Sequence, residues 1–195
     1  MNNEITVKVK CELEELYKIL EEKEFKITDK FSLNDTYLIP KILEIDKMST
    51  REILSHAVII RKISQEIPYK IQNKITFKKK QFDNEGNILN QTSINCEVKD
   101  VEEAKTLFNA IGYKEIMNIN ENDLVYGKDG FELAIKDIKN GEKLIEIEIV
   151  EDNKELDTIE KLKEKVVSIE IPIYTNNYFV KKAEIELNKI LGRKD

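Results

Sequence analysis

Several stretches of this sequence put charge on alternate residues, a spacing that lines up side chains on one face of a strand. Glu4, Thr6 and Lys8 share one side of a period-two run whose other side carries Ile5, Val7 and Val9. Ile59 and Arg61 share a face, with Val58 and Ile60 on the other. Thr76 and Lys78 oppose Ile75 and Phe77, and Glu146 and Glu148 oppose Ile145, Ile147 and Ile149. Asp137 sits at the end of the strand before that last one. Carboxylates two residues apart on a strand can grip a hard cation, and Lys or Arg can grip phosphate. The same pattern also suits an antiparallel sheet with one face in water. Periodicity does not choose between a wet exterior and the lumen of a barrel of about eight strands that holds a ligand.

The elements that must carry these residues follow from the same patterning. Glu4 to Lys10 alternates as a strand, and Cys11 to Phe25 shifts to helical spacing, with Leu13, Leu16, Ile19 and Leu20 on one face. Phe31 to Ile39 reads as a second strand closed by Pro40. Ser49-Thr50-Arg51-Glu52 is a capping box that opens a short helix. Ala57 to Ile63 and Ile71 to Lys80 read as strands, followed by a turn at Asp83-Asn84-Glu85-Gly86-Asn87. The order then repeats: a strand over Ile94 to Val98, a helix capped by Asp100 and stopped by Gly112, and a strand within Ile116 to Tyr126. Phe131 to Ile138 and Lys143 to Val150 form a hairpin around Asn140-Gly141. Asp157 and Glu160 box the start of a helix over Ile159 to Val167, and Asn176 or Asn177 starts a last helix that runs through Leu191 to Gly192. The two halves suggest a pseudo-two-fold arrangement.

Composition bounds the function. The chain has 195 residues and reads as one domain, residues 1–195, with halves at 1–90 and 91–150 and C-terminal helices over 151–195. A charged fraction of 36% beside an apolar fraction of 41% fits a globular chain rather than a disordered one. The net charge of −6 argues against a nucleic-acid partner. No run of 18 apolar residues is present, so no membrane span is expected. The N-terminal MNNEITVKVK lacks a secretory pattern, and Cys11 and Cys96 stand alone without metal-type spacing. Both read as reduced thiols of a cytoplasmic protein. His56, the only histidine, reads as a surface residue, Tyr174 and Tyr178 as core packing, and Lys79 and Lys80 as a solvated strand end. Neither a Walker loop nor a G-x-G-x-x-G fingerprint occurs. A homodimer is left open.

The motifs, in their order, resemble the CYTH superfamily, which holds class IV adenylyl cyclases, thiamine triphosphatases and inorganic triphosphatases. Glu4-Ile5-Thr6-Val7-Lys8 resembles its opening E-x-E-x-K strand, and Asp35-Thr36-Tyr37-Leu38 its D-T-Y-F strand. Val58-Ile59-Ile60-Arg61 resembles L-R-I-R, and Ile75-Thr76-Phe77-Lys78 resembles L-T-Y-K. Asp100-Val101-Glu102-Glu103-Ala104 to Ile111-Gly112-Tyr113 resembles the D-x-x-E-A helix ending in L-G-F, and Asp137 with Glu146-Ile147-Glu148 the late Asp and E-I-E. The resemblance implies an α+β fold: a closed antiparallel eight-stranded β-barrel, a tunnel, with flanking helices. It implies Mg²⁺ or Mn²⁺ held by Glu4, Asp137, Glu146 and Glu148. It places Lys8, Arg61, Lys78 and a C-terminal-helix lysine, Lys182 or its neighbour Lys181, against the phosphates, with Lys8 and Arg61 at the reacting group.

The chain departs from that pattern at several charges. Thr6 replaces the second acid of the opening motif, and Ile59 the first arginine of the paired-arginine strand. Gln91, Ser93 and Asn95 stand where the family has R-x-E-x-E, and Glu121 and Asp123 reverse its K-x-R. Two readings follow. One is divalent-metal-dependent hydrolysis of an inorganic or organic triphosphate, with class IV-type cyclisation as its variant. The other is a protein of this fold with little or no catalysis that binds a phosphorylated ligand. A purely structural role has no positive support.

Overall fold

The computed structural model describes residues 4–66, 69–82 and 88–193, and their side chains apart from 80–82 and 88–91. In chain order the elements are β1 (Glu4–Lys8), α1 (Leu13–Glu22), β2 (Lys26–Pro40), α2 (Thr50–Ser55), β3 (Val58–Glu66), β4 (Tyr69–Phe82), β5 (Ile88–Glu97) and α3 (Val101–Ala110). They continue with β6 (Tyr113–Lys128), β7 (Phe131–Ile138), β8 (Lys143–Glu148), α4 (Ile159–Ser168) and α5 (Lys182–Leu191). The α+β class holds. The strands make one antiparallel eight-stranded sheet in the order β1-β8-β7-β6-β2-β3-β4-β5.

The expected closed barrel is corrected: β1 and β5 are the two ends of this order and do not pair with each other among the described residues. The outward edge of β1 is already taken. Thr6 N donates to Tyr178 O at 2.9 Å and Val180 N to Thr6 O at 3.1 Å. Tyr174 N donates to Lys8 O at 2.9 Å and Lys10 N to Pro172 O at 2.8 Å. Backbone groups satisfied by the 172–180 segment cannot also pair with another strand. That segment is therefore extended, and the last helix starts at Lys182 instead of Asn176 or Asn177.

The chain divides into two compact units, 4–31 with 121–181 and 32–120 with 182–193, and β2 and β6 contribute to both. In the first, Ile5, Val7, Leu133, Ile135, Ile145 and Ile147 form one sheet face that packs with Leu13, Leu16 and Leu20 of α1 and Leu162 and Val166 of α4. In the second, Ile60 and Ile75 pack with Ala104, Val101 and Phe108 on α3.

The caps hold with one change. Ser49 and Glu52 make the capping box of α2, and Asp100 accepts from Glu102 N and Glu103 N at the start of α3. At α4 the cap is Thr158, which accepts from Lys161 N, while Asp157 is ion-paired with Lys161 at 2.6 Å. The expected turn at 83–87 lies outside the described residues. Tyr178 packs against the core as expected, whereas Tyr174 is 46% exposed under Lys10. His56 is exposed at the end of α2, and both cysteines are free thiols. Among the described residues no helix is long and apolar enough to cross a membrane.

Candidate metal centre

Strand register decides which charges meet. β1 pairs with β8 so that Glu4 faces Glu148 and Thr6 faces Glu146. β7 pairs with β8 so that Ala134 faces Glu146, and with β6 so that Lys136 faces Asp123 and Ile138 faces Glu121. Directly opposed residues share a sheet face, as do residues two apart. Glu4, Thr6, Lys8, Glu146, Glu148, Lys136, Asp123 and Glu121 therefore stand on one face of the first unit. The opposite face is the apolar one under α1 and α4.

Carboxylate oxygens of Glu4, Glu146 and Glu148 lie within 4.8 Å of one another. Glu4 and Glu146 are half-buried and Glu148 is exposed. In a Mg²⁺ or Mn²⁺ octahedron with bonds of about 2.1 Å, ligand oxygens stand roughly 3–4 Å apart. An all-oxygen set at this spacing reaches that geometry through small side-chain rotations, so the three residues fit a hard divalent cation.

Lys136 gives this face its second feature. Its Nζ lies 3.2 Å from Asp123 Oδ2, 3.3 Å from Glu146 Oε1 and 3.9 Å from Glu121 Oε1. Lys136, Glu121 and Asp123 are 7%, 2% and 0% exposed. Burial alone would discharge the ammonium; Glu146, Asp123 and Glu121 outweigh it and hold Lys136 above the ordinary lysine range. Glu121 and Asp123, the two sign reversals in the sequence, thus meet a basic partner in Lys136. Sequence reasoning missed Lys136.

Asp137 belongs elsewhere. It faces Lys143 across β7 and β8 and is ion-paired with it. Period two puts it on the face of Ile135 and Ile145, opposite the face of Glu146. There it acts on Tyr17, whose hydroxyl is pushed up to about 12 by burial first and then by Asp137, Tyr126, Glu14 and Asp123. The rings of Tyr17 and Tyr126 stack with centroids 5.8 Å apart.

Lys8 is on the carboxylate face, 3.3 Å from Glu142, and borders a cavity of about 420 Å³ with Tyr174, Asn176 and Asn177. Arg61, Lys78 and Lys182 belong to the second unit. Arg61 grips Asp35 in a two-pronged pair, with Nε donating to Oδ1 at 2.6 Å and Nη2 to Oδ2. Asp35 is 1% exposed. Lys74, directly across from Arg61, is held below the usual lysine range by burial and by Arg61, with Asp35 pulling the other way. Lys78 shares the Arg61 face through Thr76 and Lys74, and Lys182 opens α5.

Among the departures, Thr6 is buried opposite Glu146, and Ile59 is 5% exposed opposite Thr76. Asn95 accepts a hydrogen bond from Thr76 at 2.8 Å, Ser93 is exposed, and the side chain of Gln91 is outside the described set.

No family model matches the sequence, and no curated protein matches it. Solved structures do. The PH1819 protein of Pyrococcus horikoshii OT3 is 20% identical, with a TM-score of 0.62 over 89% of this chain and 94% of its own. A proposed adenylyl cyclase from Hippeastrum, described as having a dominant triphosphatase activity, is 12% identical, with a TM-score of 0.56 over 98% and 96%. A proposed adenylate cyclase from Vibrio parahaemolyticus is 9% identical, with a TM-score of 0.56 over 97% and 96%. At these identities the likeness is one of fold: the chain shares the fold of these structures.

Proposed function

We propose that this chain hydrolyses a triphosphate, inorganic or organic, with Mg²⁺ or Mn²⁺ held by Glu4, Glu146 and Glu148. The observation that carries the reading is the convergence of those three carboxylates on one sheet face, with Lys8 on the same face of β1. The motif resemblance and the triphosphatase activity of the Hippeastrum protein add support. A bound cation would neutralise charge on phosphoryl oxygens. Glu4, Glu146 and Glu148 would hold it, and the register of β1 with β8 fixes them against each other. Lys8 lies about 13 Å along β1 from Glu4 on the same face. Arg61, Lys78 and Lys182 remain phosphate-side residues by resemblance, and Arg61 would have to share its guanidinium with Asp35.

A second reading, a phosphate-ligand binder with weak catalysis, is favoured by one observation. Where the resemblance expects two bases, Glu121 and Asp123 are buried acids. Both readings are tested by one assay: phosphate release from inorganic triphosphate, ATP and thiamine triphosphate with Mg²⁺ or Mn²⁺, for the wild type and Glu146→Gln/Glu148→Gln. Hydrolysis lost in the variant supports the first reading. No release, but a triphosphate-induced rise in melting temperature, supports the second. Neither release nor a rise would sink both.

A further inference from the structure

Within the second unit, Arg61 on β3 and Lys74 on β4 stand directly opposite each other. Their face of the sheet is the one opposite Ile60 and Ile75, which pack with α3. Like charges set across a strand pair repel unless something answers both. Arg61 has Asp35. Lys74 is half-buried, and among the described residues no hydrogen bond or ion pair answers its ammonium. Glu97 faces it across β5 but is exposed and not ion-paired with it. Burial and Arg61 hold Lys74 below the usual lysine range against the pull of Asp35, so the folded chain carries this charge at a cost. Lys74 borders a cavity of about 360 Å³ with Gln72, Asn73, Asn95 and Glu97. Small-ligand sites span roughly 300–1,000 Å³. Asn95 Oδ1 accepts from Thr76 at 2.8 Å, which leaves Nδ2 to donate, and Gln72 adds a second amide. A desolvated ammonium beside a guanidinium and amide donors suits a phosphoryl group, which accepts from all of them.

The strand register says why a lysine stands there. Ile59 takes the place where the motif resemblance expects the first of two arginines, two residues from Arg61 on the same face. Ile59 faces Thr76, and Lys74 lies two residues from Thr76 on that face, against Arg61. The cation lost along β3 is thus regained across the ladder, on β4. We propose that Lys74 is a phosphate-binding residue, forming with Arg61 a cross-strand pair of cations that replaces the pair lost at Ile59. The inference rests on the reading of the ligand as a triphosphate and concerns the second unit alone. A purely structural lysine makes a different prediction: its removal would lower the stability of the ligand-free chain. A binding lysine held desolvated and without an ion pair does the opposite, because its removal relieves an unanswered charge.

The test is the binding of inorganic triphosphate at pH 7.5, read by calorimetry in EDTA, which keeps divalent metal out of the first unit, and again in Mg²⁺. Melting temperatures are taken alongside. Lys74→Met keeps the apolar stem and removes the charge. It is expected to bind triphosphate at least tenfold more weakly than the wild type in EDTA, and to melt at or above the wild-type temperature without ligand. Lys74→Arg, which keeps the charge, should bind as the wild type does. So should Lys79→Met, which removes an exposed lysine from the opposite face of β4. Equal binding by the wild type and Lys74→Met overturns this inference alone. So does a Lys74→Met chain that melts below the wild type or does not fold, since that marks a structural lysine. Wild-type binding in Mg²⁺ but none in EDTA also overturns this inference alone. No binding by the wild type in either buffer overturns the triphosphate reading and this inference with it.

Discussion

The two units handle buried charge in opposite ways. In the second, one arginine meets one aspartate through two parallel hydrogen bonds. In the first, three carboxylates meet one lysine, and two further glutamates stand on the same face. One site is a two-pronged pair of single charges, and the other gathers three carboxylates around one ammonium. Buried charges are tolerated when paired. The convergence of Glu4, Glu146 and Glu148 on one face is therefore the more informative observation.

Breaking each balance should expose the difference. The largest effect is expected for Lys136→Met, which removes the ammonium from among Glu121, Asp123 and Glu146 in a sealed site. It should cost about 3–5 kcal/mol of unfolding free energy in metal-free buffer, read from urea denaturation. A loss under 1 kcal/mol would mean that the cluster is not desolvated as described. Arg61→Met strands the fully buried Asp35 and should cost about 3 kcal/mol. Adding Asp35→Asn should restore part of it, and no restoration would contradict the two-pronged pair.

The smallest effect concerns the apolar side of the first unit. Tyr17 is raised from 10.0 to about 12, so the unfolded chain loses this proton first as pH rises. Stability owed to the neutral phenol is complete below pH 10 and lost as pH climbs from about 10 to 12. Ultraviolet titration should show a late-ionising tyrosine that disappears in Tyr17→Phe. A Tyr17→Phe curve that overlays the wild type would contradict the packing beside Asp137 and Tyr126.

Strand existence, the caps of α2 and α3 and the polar faces of β1 and β8 were legible because period two and capping chemistry are local. Two features were not. Closure depends on which segment takes the outer edge of β1, and the sequence from Pro172 to Val180 carries no local signal for that. The second is a one-residue matter of register. An Asn-Gly pair signals a two-residue hairpin turn, and a turn confined to Asn140-Gly141 would set Asp137 on the face of Glu146. The loop is longer: Gly141 N donates to Ile138 O, and Asp137 pairs with Lys143. A slip of one residue exchanges the faces, so Lys136 takes the place beside Glu146. The same slip gives Glu121 and Asp123 their meaning. Read alone they are lost phosphate contacts; with Lys136 they are part of a buried ion cluster.

The account stands or falls on whether Glu4, Glu146 and Glu148 hold a divalent cation. The direct measurement is Mn²⁺ binding to the wild-type chain and to Glu4→Gln/Glu148→Gln, followed by loss of the free Mn²⁺ resonance signal, with circular dichroism to confirm that both are folded. The account predicts one ion per wild-type chain and at least a tenfold weaker affinity in the variant, a difference of about 1.4 kcal/mol. Equal binding by the two chains, or none by the wild type, would contradict it.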